Sequence, residues 1–85
     1  MVKITMRSML GKVIVSGETG RKFGVVGDLI FVGGSGELMN IIVSNPTAQI
    51  NDLGLTEDER GRKLIPFTAV KSVGEFVIIS EKDIA

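Results

Sequence analysis

Residues 21–32 read Arg-Lys-Phe-Gly-Val-Val-Gly-Asp-Leu-Ile-Phe-Val, and this segment decides the fold class. β-Branched and aromatic residues dominate it, which is typical of a strand, yet Gly24 and Gly27 leave two pleat positions without a side chain. Interior glycines occur where a strand bends sharply or where another backbone comes close, and a small closed sheet needs both. The segment therefore predicts a long, bent strand of a small β-barrel.

Shorter segments of the same character flank this strand at intervals of about ten residues, a spacing typical of small sandwiches and barrels. Residues 12–16 predict a first strand, and the glycine-bounded turn at residues 17–20 predicts a hairpin. The glycine-rich residues 33–36 predict a second hairpin, leading into a strand at residues 37–43. Because no helix pattern follows these glycines, we interpret them as a turn and not as a phosphate-binding loop.

The second half of the chain begins with a long connection, residues 44–61. Thr56 and the acidic residues after it are typical of a helix start, but Gly61 limits any helix to about two turns. At most a one- to two-turn helix is therefore expected near residues 56–62.

Two further segments complete the sheet. Residues 63–67 predict a strand that ends at Pro66 or lies at an edge, because proline cannot donate a ladder hydrogen bond. Residues 70–79 predict a hairpin with its turn at Gly74. The predicted fold class is all-β, a small closed barrel that forms a single domain over residues 1–85.

Composition narrows the possible functions. The 85 residues have a formal net charge of zero, which does not favour direct nucleic-acid binding. There is no cysteine and no histidine, so thiol chemistry, zinc sites with nitrogen or sulfur ligands and the usual general base are excluded. We therefore predict a non-enzymatic protein without a cofactor or a metal. Neither a signal peptide nor an apolar run of about 20 residues is present, so a cytoplasmic location without membrane insertion is expected.

The acidic residues Asp52, Glu57, Asp58 and Glu59 form the densest group of possible metal ligands. Their spacing lacks the alternation of a calcium loop, so we interpret them as helix-capping residues. Asp28 follows Gly27 on an apolar strand, where a carboxylate needs hydrogen-bond partners if it is buried.

Apolar residues make up 44% of the chain, which is high for a small domain and indicates a self-association surface. Met6 and Met9 precede the first strand and serve either as core gap fillers or as adaptable contact surface. Phe31, Met39 and Ile79 are further candidates for a flat contact face. These five residues are the predicted interface.

Five motifs in this order resemble the PRC-barrel family over almost the whole chain. They are Leu-Gly-Lys-Val at residues 10–13, Thr-Gly at 19–20, Phe-Gly-Val-Val-Gly-Asp at 23–28, Ile-Pro-Phe at 65–67 and Val-Lys-Ser-Val-Gly-Glu-Phe-Val at 70–77. The resemblance implies a six-stranded β-barrel that is not an enzyme. Such barrels occur in the photosynthetic reaction-centre H subunit, in a bacterial ribosome-maturation factor and as stand-alone archaeal proteins.

Two functions follow from the resemblance. The stand-alone archaeal proteins take part in division by the tubulin-like ring and contact its membrane adaptor, which implies a homodimeric adaptor that binds itself and another protein. A barrel without a further domain or membrane helix favours this hypothesis. The alternative is an RNA-processing or ribosome-assembly factor, as the ribosome-maturation relatives imply, although the neutral charge argues against direct RNA contact.

Overall fold

The computed structural model describes residues 6–31 and 38–84. A short helix, α1, precedes seven strands, β1 to β7, and three short 3₁₀ helices lie between or after them. The elements in chain order are α1 (Met6–Met9), β1 (Val13–Ser16), β2 (Lys22–Phe31), β3 (Leu38–Ser44), a 3₁₀ helix (Ala48–Leu53), β4 (Thr56–Glu57), β5 (Lys63–Pro66), a 3₁₀ helix (Phe67–Ala69), β6 (Val70–Val73), β7 (Phe76–Ile79) and a 3₁₀ helix (Glu81–Asp83).

All seven strands belong to one mixed sheet with the order β4-β5-β3-β2-β1-β7-β6. Neighbouring strands are antiparallel except for β1 and β7, which pair in parallel from Val13 and Phe76 to Ser16 and Ile79. The prediction of an all-β fold is therefore confirmed. The hairpins β1-β2 and β6-β7 are also found as predicted, and β5 ends at Pro66.

The sheet curls strongly, because β5 and β6 are five positions apart in it but only Phe67–Ala69 separates them in the chain. Five strand spacings span about 24 Å in a flat sheet, whereas the four Cα–Cα steps of this connection reach about 14 Å at most. Closure of the predicted six-stranded barrel is not confirmed, since the ladder contains seven strands and β4 and β6 are its two unpaired ends within the described residues.

Two glycines bring β2 against β3. A Cβ atom on Gly24, whose φ is +145°, would lie 2.6 Å from Cγ1 of Val43 and 2.8 Å from the carbonyl oxygen of Ser44. A Cβ atom on Gly27 would lie 2.9 Å from Cβ of Ser44, at a register shift between Val26 and Asp28. Both positions fit the predicted bent strand, since the close approach leaves no room for a side chain.

The connection before β5 differs from the prediction. Thr56 and Glu57 form the strand β4, and the turn after it is held by Asp58, whose Oδ1 accepts the backbone N–H groups of Arg60 and Arg62 at 2.9 and 2.8 Å. An aspartate that satisfies the backbone in this way competes with helix formation. No helix forms at residues 56–62, where at most one or two turns were expected, and a 3₁₀ helix lies upstream at Ala48–Leu53.

The core fills the inner side of the curled sheet. α1 contributes Met9 and the first 3₁₀ helix contributes Ile50, so these short elements cover what the strands leave open. The cluster consists of Met9, Ile14, Phe23, Val26, Leu29, Ile41, Val43, Ile50, Ile65, Ala69, Val77 and Ile79.

No helix of the described residues is long and apolar enough to cross a membrane. The predicted turn at residues 33–36 lies outside the described residues.

Candidate interaction surface

The outer side of strands β2, β1 and β7 carries a continuous group of apolar side chains. Val13 of β1 is paired with Val25 of β2 on one side and with Phe76 of β7 on the other, so these three side chains point to the same face. Val15 and Ile78 form the adjacent pair of that face, but Val15 is only 9% exposed. We call Val13, Val15, Val25, Phe76 and Ile78 the outer apolar face.

The opposite side of the same strands faces the core. Ile14 and Val77 are paired with each other and are 0% exposed. Because side chains alternate along a strand, a sheet with one solvated side normally places polar residues there. Here β1 and β7 are apolar on both sides, and Phe76 remains 44% exposed. Strands that are apolar on both sides are typical of a sheet whose two sides are both covered.

A depression borders this face beside Ile78. It measures about 230 Å³ and is lined by Gly17, Glu18, Lys71, Ile78, Ile79, Ser80 and Lys82. Gly17 keeps it open, because a Cβ atom there would lie 3.2 Å from Cγ2 of Ile78. We call it the Ile78 depression. It combines an apolar wall with two lysines at its rim.

Next to the depression, a polar network fastens the last 3₁₀ helix to the β1-β2 turn. Ser16 and Ser80 are both 3% exposed and supply the buried hydroxyl groups. Ser80 donates to the Glu18 carboxylate at 2.8 Å, and the same carboxylate accepts the backbone N–H of Glu81 at 2.9 Å. These hydrogen bonds hold the pKa of Glu18 below its ordinary value, with the Glu81 backbone bond as the largest cause.

Glu81 is the acceptor at the centre of this network. Ser16 and Arg21 donate to its carboxylate, and Thr19 donates to it at 2.8 Å. The hydrogen bond from Ser16 is the largest cause of a lowered pKa at Glu81. Arg21 also bonds Asp52 at 2.8 Å, and its pKa is raised, mainly by Glu81. Every donor here has an acceptor within the chain, which indicates a structural role for the network.

Three of the four acidic residues that the sequence grouped together are held in separate ion pairs. Asp52 pairs with Arg21, Glu57 with Lys63 at 3.2 Å and Asp58 with Arg62 at 2.6 Å. The part of the chain that the structure describes holds no cluster of three or more possible metal ligands.

Asp28 forms a local hydrogen bond on its strand. It is exposed, and its Oδ1 accepts the backbone N–H of Leu29 at 2.8 Å, next to the register shift of β2. Its carboxylate therefore serves the local backbone.

The structure separates the predicted interface residues. Met9 and Ile79 are 0% exposed within the core cluster, so their side chains offer no area to a partner and the contact role predicted for them is not retained. Of the two roles left open for Met9, the structure shows the gap filler. Phe31 is 41% exposed at the end of β2. The side chains of Met6 and Met39 lie outside the described residues.

The sequence reasoning missed most of the outer apolar face. Its signal was present, because Val13-Ile14-Val15 and Phe76-Val77-Ile78-Ile79 are continuous apolar runs without polar residues at alternate positions. Which of these side chains point outward depends on the register between β1 and β7, and that pairing joins strands from opposite ends of the chain.

Comparison of the chain with models of known protein families and with curated proteins gives no match. The function therefore has to be argued from the surface itself.

Proposed function

We propose that this chain is a non-enzymatic protein-protein interaction module that forms a homodimer through its outer apolar face. The observation that carries the proposal is the pair of strands β1 and β7 with apolar side chains on both sides. Burying a whole phenylalanine side chain stabilises by about 1.5–3 kcal/mol. With 44% of Phe76 still exposed, its cover in a dimer contributes about 1 kcal/mol per chain.

The finer fold assignment, a PRC-type barrel, belongs to the same proposal. It is supported by the motif order in the sequence and by the curl of the sheet between β5 and β6. The 3₁₀ helix Phe67–Ala69 connects these two strands, and the backbone N–H of Ser80 bonds the Ala69 carbonyl. A small barrel with an incomplete ladder agrees with both features.

The cellular role proposed with it is that of a cytoplasmic adaptor which binds the membrane adaptor of an archaeal division ring. Only the resemblance to stand-alone PRC-barrels supports this partner. Affinity capture with the purified chain, followed by identification of bound proteins, tests it. Recovery of ribosomal RNA or ribosome-assembly proteins in place of a division protein would favour the alternative function.

The dimer is tested by light scattering coupled to size exclusion. We expect a mass of about twice the 9.1 kDa of one chain for the wild type. Phe76→Ala should raise the dissociation constant tenfold or more, a cost typical of a central aromatic contact. Phe31→Ala is the matched control, because Phe31 has nearly the same exposure but lies about 20 Å farther along β2 than Val25.

The outcomes show which of the two phenylalanines, Phe76 or Phe31, lies in the dimer contact. A wild-type monomer at high concentration would contradict the proposal. A dimer that is weakened by Phe31→Ala and not by Phe76→Ala would place the contact at the far end of β2.

A further inference from the structure

We propose that the two copies pack as a symmetric pair, in which Phe76 of each chain enters the Ile78 depression of the other and Glu75 pairs with Lys82 of the second copy. The inference rests on the proposed function, since it requires a homodimer. It adds the geometry of the contact and an ionic partner for the second copy.

The spacing on β7 allows this symmetry. Phe76 and Ile78 lie two residues apart on the same side of the strand, about 6.8 Å from each other. A two-fold axis in the plane of the interface, perpendicular to β7 and midway between them, places each residue opposite the other in the second copy. An interface of this kind uses the same surface twice, as two-fold dimers do. The same axis places Val13 opposite Val15, but Val15 is only 9% exposed, so the contact area lies mainly along β7.

The depression has the size and lining for an aromatic ring. It is open to solvent and measures about 230 Å³. Ile78 forms the apolar wall, and Gly17 leaves the entrance without a side chain. Phe76 is the most exposed of the large apolar side chains described, so it is the one available to insert.

Charge selects a second copy as the occupant. Glu75 immediately precedes Phe76 in an exposed turn, and the two-fold axis brings it to the level of Ile79, at the end of the depression where the lysines lie. Lys71 already pairs with Asp83 at 2.5 Å. Lys82 is exposed and forms no ion pair with the described side chains, so it is the cation that remains for Glu75.

The charged groups next to these two residues already form hydrogen bonds within the chain, and Glu18 lines the depression together with Lys82. Lys12 donates to the Gly74 carbonyl, which holds its ammonium group at the backbone of the turn. The Glu18 carboxylate at the depression accepts from Ser80 and from the backbone of Glu81. Glu75 is an acid beside Phe76, and Lys82 is a base beside the Ile78 depression. A chain with this arrangement is complementary in charge to a copy of itself.

Charge exchange tests this pairing by sedimentation velocity at low salt. Glu75→Lys and Lys82→Glu each create two like-charge contacts per dimer, and each should raise the dissociation constant about tenfold. The double variant E75K/K82E restores both pairs and should regain wild-type affinity. Mixing the two single variants should give a heterodimer that is tighter than either homodimer.

Glu59→Lys is the matched control, because it reverses an exposed acid in the turn after β4 and should leave the dissociation constant unchanged. Far-ultraviolet circular dichroism verifies that each variant is folded. Should Lys82→Glu fail to fold, Lys82→Gln replaces it, and E75K/K82Q should then bind more tightly than E75K alone.

The results distinguish this packing from the proposed function. A wild-type dimer that is weakened by Phe76→Ala but is indifferent to Glu75→Lys, with no rescue by the double variant, overturns the packing and leaves the homodimer in place. A wild-type monomer overturns both.

Discussion

Replacing Gly24 by alanine tests the close approach of β2 to β3. The residue has a φ of +145°, a region populated essentially by glycine, where another residue costs about 1–3 kcal/mol. The new Cβ atom would also lie 2.6 Å from Val43 Cγ1 and 2.8 Å from the Ser44 carbonyl oxygen. Because the second atom belongs to the backbone, the strands must move apart, and overpacking of this kind costs about 1–3 kcal/mol.

The two costs, reduced by about 0.4–1 kcal/mol for the lower entropy of the unfolded chain, give a loss of about 3 kcal/mol. An 85-residue domain has a free energy of unfolding of roughly 4–13 kcal/mol, so Gly24→Ala removes a large part of it. The midpoint of thermal unfolding should fall by about 12–24 °C. Urea unfolding at one fixed protein concentration measures the change, since a dimer makes apparent stability depend on concentration.

Substitutions at two other glycines separate the backbone cost from the packing cost. Gly61 has a φ of +77° and open space at its Cβ position, so Gly61→Ala should cost about 1 kcal/mol from the backbone alone. Gly74 has open space and no positive φ, so Gly74→Ala should be neutral or slightly stabilising. If Gly24→Ala were no more destabilising than Gly61→Ala, the close contact with β3 would not exist.

Two further predictions concern the core and the polar network. Met9→Ala should cost about 2–5 kcal/mol in urea unfolding because the side chain is 0% exposed, whereas Leu10→Ala, at 39% exposure, should cost less than about 0.5 kcal/mol; equal losses would show that α1 does not cover the core. Hydrogen bonds from Ser16 and Arg21 lower the pKa of Glu81, so its contribution to stability is present above the ordinary glutamate pKa of 4.5 and is lost as the pH falls through the lower folded value. Glu81→Gln should therefore flatten the acid side of a plot of thermal midpoint against pH, and an unchanged slope would contradict the network.

The local elements of the fold could be predicted from the sequence. Strands β1, β2 and β3 are recognisable because β-branched runs alternate with glycine-rich turns, and Gly24 and Gly27 indicate the bend in β2 by residue type alone. The absence of a helix at residues 56–62 has a local cause as well. Thr56, Glu57 and Asp58 together have the residue pattern of the first turn of a helix. In the structure, the Asp58 carboxylate accepts backbone N–H groups of a tight turn instead.

The candidate surface could not be predicted, because it depends on contacts between distant segments. Val13 becomes a neighbour of Phe76 only when the last strand pairs in parallel with the first one, and nothing in either segment specifies that partner. The same pairing turns Ile79 inward, which is why a residue expected at the surface lies in the core. A period of two identifies two sides of a strand, but long-range register decides which side faces solvent.

The parallel pairing of β1 and β7 also links the fold to the proposed function. β1 lies between β2 and β7 in the sheet, so its outward residues Val13 and Val15 have a neighbouring strand on each side. The polar groups nearby, which include Ser16 and Glu81, form hydrogen bonds with one another and hold the last 3₁₀ helix against the β1-β2 turn. Beside them the sheet has exposed apolar area and a depression, and a second molecule placed against this face would remove both from water.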